Sequence, residues 1–283
     1  LEQTDPQGDR NTADFRDFTI YAKEVFFANG IHHHYSNDKF VPGFSTGYFA
    51  SLITGSDDDM LPLSAGDSKE TLISKLTPII FDRNLYARKV ETSDGKDMIA
   101  SSAVNFYEGV TQQEVIKYYA GLADPSDKTP VSWGLNSKVV KRGGKVFEIP
   151  YRLGGMYGPA IDKIVYWLGK AKDVALSETQ AREIQLLIDY YTSGDLNIWD
   201  EFNVLWAGDT GNQADFINGF VETYNDPLGM KANWEALVEY KDVEATRRTE
   251  IITSNAQWFE DNSPVNPAYR KEKVKGIAAS VIN

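Results

Sequence analysis

The sequence contains no cysteine and only three histidines, which are adjacent as His32, His33 and His34. The absence of cysteine excludes disulfides, thiol catalysis and cysteine-ligated metals. It fits a reducing compartment but does not require one, because a large protein can be stable without disulfides. A Ser-His-Asp triad would have to take its base from these three adjacent imidazoles, and we identify no such triad.

Basic residues are scarce relative to acidic ones, 29 against 41, and the formal net charge at pH 7 is −12. Such a charge argues against a nucleic-acid backbone or an anionic membrane as a partner. It either serves solubility or favours cationic ligands. The sequence also has no nucleotide-binding fingerprint of the Rossmann or P-loop type.

Long apolar runs are missing as well. No stretch approaches the ~18 consecutive apolar residues that suggest a membrane span, and no signal peptide opens the sequence. We therefore expect no membrane span and a cytoplasmic location. Because the first residue is Leu1 rather than methionine, a native N-terminus with an export signal could be missing, and a periplasmic or cell-envelope location is the alternative.

The composition that is present, 42% apolar and 25% charged residues, is that of an ordinary globular protein. Apolar residues at spacings of three and four, preceded by capping residues, predict several helices after a polar lead-in at residues 1–10. A linker and a short helix are expected after residue 261. The other predicted helices lie at residues 11–28, 44–52, 200–207, 228–240 and 244–260, after the capping residues Ser68, Thr111 and Ser177, and after Pro159.

Alternating and turn-rich stretches predict a smaller β component. A hairpin is indicated at Asp94-Gly95, and two strands within residues 131–149 are expected to flank Gly143-Gly144. A central strand at residues 215–224 leads into an Asn, Asp, Pro and Gly turn at residues 225–229. The predicted fold class is therefore α+β, mostly helical, with a small antiparallel or mixed sheet or barrel.

The three adjacent histidines invite a metal interpretation, which geometry opposes. Neighbouring residues of an extended chain point to opposite faces, so one cation would meet at most two of the imidazoles. Asp38 follows His34 at i+4 spacing, but one imidazole and one carboxylate do not complete a zinc site of the usual kind. Two alternatives remain: a loop packed in a cleft with ordinary imidazole hydrogen bonds, or direct contact with a substrate.

The central strand carries the most informative polar residues. Phe216, Gly219 and Val221 need a buried setting, whereas Glu222 and Tyr224 come at the strand exit. Their i, i+2 spacing predicts that a carboxylate and a phenol point into the same space, where they could hold a cation and a carbonyl together. The alternatives are a strand-end glutamate paired with Lys or Arg, and a buried tyrosine with a backbone partner.

Two segments resemble a known enzyme family. GFVETYNDPLG at residues 219–229 resembles a segment of the dipeptidyl peptidase III family of zinc aminopeptidases, and FANGIHHHYSNDKFVPGF at residues 27–44 resembles the family's early cleft loop. The text between them, including GGMYG at residues 154–158 and VYWL at residues 165–168, is similar to bacterial members. The resemblance therefore spans nearly the whole chain.

This resemblance implies a peptidase that removes dipeptides from the free N-terminus of short peptides. The family's matching glutamate and tyrosine line the substrate cleft, so the resemblance implies that Glu222 and Tyr224 bind the substrate. Glu222 suits the substrate α-ammonium, and Tyr224 can act in catalysis by donating its hydroxyl to the polarised carbonyl near the scissile bond. Tyr35 matches an aromatic that lies beside the bound peptide.

The same resemblance implies a zinc ion in the full-length enzyme, held by a His-Glu-x-x-Gly-His motif and a later glutamate. Neither is present in these 283 residues, so we expect no bound zinc and no activity from this chain alone. Residues 1–242 would form the mixed α/β lower lobe that lines the substrate cleft of a two-lobed peptidase. Residues 243–283 would begin the helical upper lobe.

A second function remains open from the sequence, a non-catalytic peptide-binding module that never had the metal. Under either function the expected partners are short peptides with a free N-terminus, and the expected state is a monomer. The wider sequence of the protein discriminates the two functions, because only the enzyme requires the zinc motif.

Overall fold

The computed structural model describes residues 10–275 and 281–282, and the chain divides into two compact units. Unit 1 consists of Leu1–Asp124, Lys138–Glu148 and Thr223–Lys231, and unit 2 of Pro125–Ser137, Ile149–Glu222 and Ala232–Asn283. The two units are therefore interleaved along the sequence. The predicted lead-in, apart from Arg10, and the short helix predicted near the end of the tail lie outside the described residues.

The helices of unit 1 begin where polar residues cap them. Thr12 and Ser45 each accept a backbone N–H of the first helical turn, and Thr111 and Glu114 form a reciprocal capping box. Pro78 lies inside its helix, which continues past it to Phe81. The helices of unit 1 are α1 (Ala13–Phe27), α2 (Thr46–Gly55), α3 (Lys69–Phe81), α4 (Met98–Ser101) and α5 (Gln112–Ala120).

Unit 1 has two apolar clusters. The first is built on aromatic rings, and Phe44 makes edge-to-face contacts with Phe18, Tyr21 and Phe81 at centroid distances of 5.5, 5.7 and 5.5 Å. The second lies around Val115, which is fully buried. Burial of these side chains is the main stabilising contribution within the unit.

A three-stranded sheet in the order β1-β2-β3 supports the second cluster. Its strands are β1 (Tyr107–Glu108), β2 (Ser137–Arg142) and β3 (Lys145–Pro150), and β1 pairs in parallel with β2. Gly143 and Gly144 connect β2 to β3 with positive φ angles, which confirms the turn predicted there. The strands in the described part of the chain form small sheets and no closed barrel, so the α+β class is confirmed in its small-sheet form.

Unit 2 packs three helices against a two-stranded antiparallel sheet. Its buried side chains include Leu187, Tyr190, Tyr191 and Trp199. Helix α7 ends at Gly194, whose φ of 77° is the left-handed conformation expected of a helix-ending glycine. The elements are α6 (Gly158–Lys172), α7 (Glu178–Ser193), α8 (Leu196–Gly208), β4 (Ala214–Glu222), β5 (Asn233–Tyr240), α9 (Val243–Ser254) and α10 (Ala256–Asp261).

A predicted helix and a predicted hairpin do not form. Residues 228–240 were expected to be helical, but residues 233–240 form β5, in which Val238 pairs with Phe216 and Trp234 with Phe220. Pairing with β4 therefore overrides the local helical spacing. Asp94-Gly95 forms a turn that leads towards α4 rather than a hairpin.

Two further predictions concern the whole protein. The lobes predicted at residues 1–242 and 243–283 refer to a two-lobed enzyme and stay a prediction. Among the described residues no helix is long and apolar enough to cross a bilayer. The cytoplasmic location stays a prediction.

Candidate functional site

Glu222 is the last residue of β4, and its side chain is half-buried. It stands opposite Asn233 of β5, after a register shift that begins at Phe220. Within residues 10–275 and 281–282, no hydrogen bond or ion pair reaches the Glu222 carboxylate. The alternative of a strand-end glutamate paired with Lys or Arg therefore finds no partner there, and the carboxylate is open to a cationic ligand.

The strand that carries Glu222 is seated by close packing. Gly219 lies against the indole of Trp199, and Phe220 is buried with its ring 5.2 Å from that of Tyr151. Val221 is 37% exposed, so the prediction that it is buried is wrong. Gly219 and Phe220 are both buried, so buried and exposed residues do not alternate here, and a register irregularity follows Phe220.

Tyr224 lies beyond the strand, in a β-turn that the Asp226 N–H closes by donating to Thr223 O at 2.9 Å. Its side chain is 60% exposed, and no hydrogen bond or ring contact reaches it from the described residues. The alternative of a buried phenol is therefore wrong. The predicted continuation of the strand through Tyr224 is wrong too, because β4 ends at Glu222, and the same-face argument applies only within a strand.

The side chain of Asp226 holds this turn in place. It is buried, and both of its carboxylate oxygens accept from Tyr107 Oη, at 2.8 and 2.9 Å. Oδ2 also accepts the backbone N–H groups of Met230 and Lys231, each at 2.8 Å. Four donor contacts on one carboxylate are the arrangement that stabilises a buried negative charge.

Lys231 supplies a buried positive charge close to these groups. It is fully buried, and Nζ donates to Tyr119 Oη at 2.6 Å and lies 3.8 Å from Glu148 Oε1. The ammonium also lies 5.1 and 5.8 Å from the ring centroids of Tyr119 and Tyr107. Burial lowers the pKa of Lys231 to about 8, against the opposing effect of Glu148 and Asp226.

The three histidines lie in a loop of unit 1 and do not converge. His32 is buried, and Nε2 donates to Tyr86 O at 2.8 Å. Burial lowers the pKa of His32, which favours the neutral ring. His33 Nδ1 accepts the backbone N–H groups of Tyr35 and Ser36 at 3.3 and 3.2 Å. These are the ordinary imidazole hydrogen bonds of a packed loop.

Tyr35 projects from the same loop. Its side chain is 85% exposed, and its ring centroid lies 4.9 Å from that of His34. Glu222 belongs to unit 2, whereas Tyr35 and Tyr224 belong to unit 1. The exposed ring is able to offer an apolar face to a ligand.

One serine has the sequence spacing that is typical of serine hydrolases. Gly43-Phe44-Ser45-Thr46-Gly47 has the Gly-x-Ser-x-Gly pattern, but Ser45 caps α2 instead of standing between a strand and a helix. Its hydroxyl donates to Asp14 Oδ2 at 3.1 Å and accepts the Tyr48 N–H. No histidine contacts it in the part of the chain that the structure describes, so it lacks the base of an activated serine.

Unit 2 contains a second unusual carboxylate. Glu183 of α7 is fully buried, and neither of its carboxylate oxygens has a hydrogen-bond partner among the described residues. Burial, together with the nearby carboxylates of Asp209 and Asp215, raises the pKa of Glu183 to about 7. The folded protein therefore favours the protonated carboxyl of Glu183 more than the unfolded chain does.

The model of Peptidase family M49 matches residues 126–276, which is more than half of the chain. The chain belongs to peptidase family M49. The resemblance to the dipeptidyl peptidase III family is thereby confirmed, since the relatives of this M49 chain carry that name.

Two of these relatives cover almost all of the M49 chain. Dipeptidyl peptidase 3 of Rattus norvegicus is 23% identical over 286 residues, which is 92% of this chain and 38% of the relative. The Homo sapiens protein of the same name is 24% identical over 285 residues, with the same two shares of 92% and 38%. The chain thus spans about two fifths of the length of these relatives.

The M49 chain is also similar to solved structures of proteins that carry this name. Dipeptidyl-peptidase III from Corallococcus sp. strain EGB has a TM-score of 0.42 and 24% identity, over 63% of the M49 chain and 33% of that protein. DPP III from Caldithrix abyssi has a TM-score of 0.48 and 16% identity, over 94% of this chain and 46% of that one.

The residues of the M49 chain do not fit the zinc ion that the resemblance implies. No group of three or more His, Asp or Glu side chains that could hold a metal occurs among the described residues. His32 and His33 each commit a ring nitrogen to backbone groups, and His34 follows them in a turn. This part of the protein therefore supplies no recognisable set of zinc ligands.

Sequence reasoning missed the buried charges. Asp226 belongs to a Pro-Gly turn and was interpreted as turn chemistry alone, although Asp before Pro also suits a side chain that accepts from nearby N–H groups. Lys231 and Glu183 carry no sequence signal, because lysine and glutamate are usually exposed. Their burial follows from tertiary packing.

Proposed function

We propose that this chain is the substrate-binding part of a zinc-dependent dipeptidyl peptidase that removes dipeptides from the N-terminus of short peptides. Membership of family M49 and the names of the relatives support a peptidase. The observation that carries the proposal is the half-buried Glu222 carboxylate, which lacks a cationic partner among the described residues. The proposed partners are short peptides with a free N-terminus, bound by a monomer.

Glu222 receives the substrate α-ammonium in this proposal. An exopeptidase must distinguish a free amine from a chain interior, and a fixed carboxylate does so because only the free amine carries a positive charge. Partial burial strengthens the attraction relative to a fully solvated pair. The packing of Gly219 and Phe220 keeps the strand end rigid, so that little ordering is needed when the peptide binds.

Tyr224 is proposed to donate its hydroxyl to the polarised carbonyl near the scissile bond. Its exposure, 60%, leaves the phenol accessible, and the turn of residues 223–226 sets its direction. A donor placed where negative charge develops lowers the barrier of acyl transfer. Tyr35, which is 85% exposed, is proposed to lie beside the peptide and to contact it through the face of its ring.

Zinc would supply a metal-activated water in the longer enzyme. The residues described for this chain do not fit the ion, so in this proposal they bind and orient the peptide while the metal ligands come from another part of the protein. The non-catalytic alternative, a peptide-binding module without metal, predicts the same binding but no zinc motif. The wider coding sequence decides between the two.

The test is peptide binding to the 283-residue chain, measured by isothermal titration calorimetry with a short peptide and its N-acetylated form. Glu222→Gln should weaken binding of the free peptide by about ten- to a hundredfold, because a charge-assisted contact contributes about 1.5 to 3 kcal/mol. The acetylated peptide should be affected less.

Glu235→Gln is the matched control. Glu235 lies in β5 opposite Gly219 and is half-buried like Glu222, so the same change is made in the same sheet. Its affinity for both peptides should equal that of the wild type. If Glu222→Gln still distinguishes free from acetylated peptide as the wild type does, Glu222 is structural and the proposal fails.

A further inference from the structure

Two consecutive β-turns meet at Asp226. Its N–H donates to Thr223 O at 2.9 Å, and its carbonyl oxygen accepts the Gly229 N–H at 3.0 Å. Tyr224 and Asn225 occupy the corner of the first turn, and Gly229 closes the second with a φ of 66°. The backbone position of Tyr224 therefore depends on where Asp226 is held.

The Tyr224 side chain is not held in place by contacts of its own within the described residues. Among the described residues nothing contacts its hydroxyl or its ring with a hydrogen bond, a charge or another ring. Its direction follows only from the turn and from its own rotamer preferences. Any restraint on Tyr224 must therefore reach it through the backbone.

Asp226, by contrast, is held on several sides within unit 1. Tyr107 belongs to β1 and donates its hydroxyl to both carboxylate oxygens, so it ties the turn to the three-stranded sheet. The N–H groups of Met230 and Lys231 tie the returning chain to the same carboxylate. Buried hydrogen bonds to a charged group are costly to lose, because the charge is then left without compensation.

The ring of Tyr107 links this carboxylate to a cation. Its hydroxyl meets Asp226, and its face lies 5.8 Å from Lys231 Nζ. Lys231 is anchored in turn by Tyr119, whose hydroxyl also donates to Glu148 at 2.6 Å. The fixed charges and rings form one connected network around the turn.

We propose that Asp226, held by Tyr107, is a positioning residue that keeps the turn of residues 223–226 in one conformation and so fixes where the Tyr224 hydroxyl meets a bound peptide. The proposal deepens the peptide-binding role proposed above for Tyr224 and rests on it. Asp226 itself touches no substrate in this scheme. It acts through the backbone of the turn.

Site-specific 3-fluorotyrosine at position 224 reports this directly by fluorine NMR. Tyr107→Phe removes a single hydroxyl and should shift, broaden or split the resonance, because the turn becomes able to sample other conformations. Tyr21→Phe is the matched control: it also removes a buried tyrosine hydroxyl of unit 1, one without a hydrogen-bond partner in the described part of the chain, and should leave the resonance unchanged. An unchanged resonance in folded Tyr107→Phe overturns the proposal. Asp226→Asn answers the same question if Tyr107→Phe does not fold.

A double-mutant cycle in peptide affinity separates positioning from general destabilisation. Tyr107→Phe should lower the affinity by about three- to tenfold when Tyr224 is present, and should have no effect in the Tyr224→Phe background. An equal loss in both backgrounds would show that Tyr107 acts on the fold as a whole and would overturn the positioning role. If Tyr224→Phe alone leaves the affinity unchanged, the proposed function of Tyr224 fails, whereas control of the turn is still decided by the fluorine spectrum.

Discussion

Gly219 lies so close to Trp199 that a Cβ at residue 219 would be 2.3 Å from Cη2 and 2.7 Å from Cζ3 of the indole. The indole is itself fixed, because its ring packs 4.9 Å from that of Tyr190 and 5.4 Å from that of Phe202. A Cβ at residue 219 would therefore force the indole or strand β4 to move. The contact fixes the position of β4 against α8, and therefore the position of Glu222 at the end of the strand.

Gly219→Ala should destabilise the protein by about 1 to 3 kcal/mol, because the indole or the strand must move in a close-packed core. Urea denaturation checks this. Gly169→Ala is the control, since Gly169 lies inside α6 and an alanine methyl there would meet no atom within 4 Å, so the change should stabilise by up to about 1 kcal/mol. Equal stability of Gly219→Ala and wild type would contradict the packing argument.

The buried Glu183 predicts a pH dependence of stability. The pKa of Glu183 is raised to about 7 in the folded protein, so folding favours the protonated form. The stability that protonated Glu183 allows is fully present at acidic pH and is lost as pH rises through about 7. Glu183→Gln should therefore be more stable than wild type at pH 8, by about 1 to 3 kcal/mol, with a smaller difference at pH 5.

The control for this pH dependence is Glu178→Gln, which removes an exposed carboxylate from the same helix. Its stability should follow the wild-type pH profile. Unfolding free energies of the three proteins from pH 5 to pH 8 provide the measurement. A Glu183→Gln profile parallel to that of the wild type would show that Glu183 does not titrate in this range.

Zinc is expected to bind this chain weakly or not at all, and the chain alone should lack aminopeptidase activity. The reasons are the missing His-Glu-x-x-Gly-His motif and the separate hydrogen bonds of His32 and His33. Metal content after dialysis and dipeptide release from a chromogenic substrate are the two measurements. Stoichiometric zinc that survives dialysis, together with dipeptide release, would refute this expectation.

Substitution of Tyr35 should affect peptide affinity but not the stability of the protein. Because its side chain is 85% exposed, Tyr35→Ala should change the free energy of unfolding by less than about 0.5 kcal/mol. Peptide affinity should fall nonetheless if the ring contacts the peptide as proposed. Tyr269→Ala, at a tyrosine that is 79% exposed in unit 2, is the matched control and should leave the affinity unchanged. Equal affinities of Tyr35→Ala and Tyr269→Ala would remove Tyr35 from the proposed site.

Much of the fold was predictable because its signals are local. The predicted caps Ser68 and Thr111 are confirmed, since a capping side chain needs only its own first turn. The glycines at residues 143 and 144 identify their turn for a similar reason. Strand β5 was not predictable in this way, because the spacing of Trp234 and Val238 also suits a helix and only pairing with β4 decides.

The candidate site shows the same limit. Glu222 could be placed at a strand end, because the turn chemistry that follows it is local. The exact end of the strand could not be predicted. Because β4 ends at Glu222, Tyr224 lies in the turn rather than on the strand face. The partners of Asp226 were out of reach, since Tyr107 is 119 residues away in the sequence.

That separation has a consequence for biosynthesis. Unit 1 takes its last stretch from Thr223–Lys231, more than ninety residues after Asp124 closes the first stretch. At ribosomal speeds the earlier part of the unit must wait roughly 5 to 20 seconds before Asp226 and Lys231 emerge. During that interval Tyr107 and Tyr119 lack these two partners, and truncation before residue 231 should therefore leave unit 1 prone to aggregation.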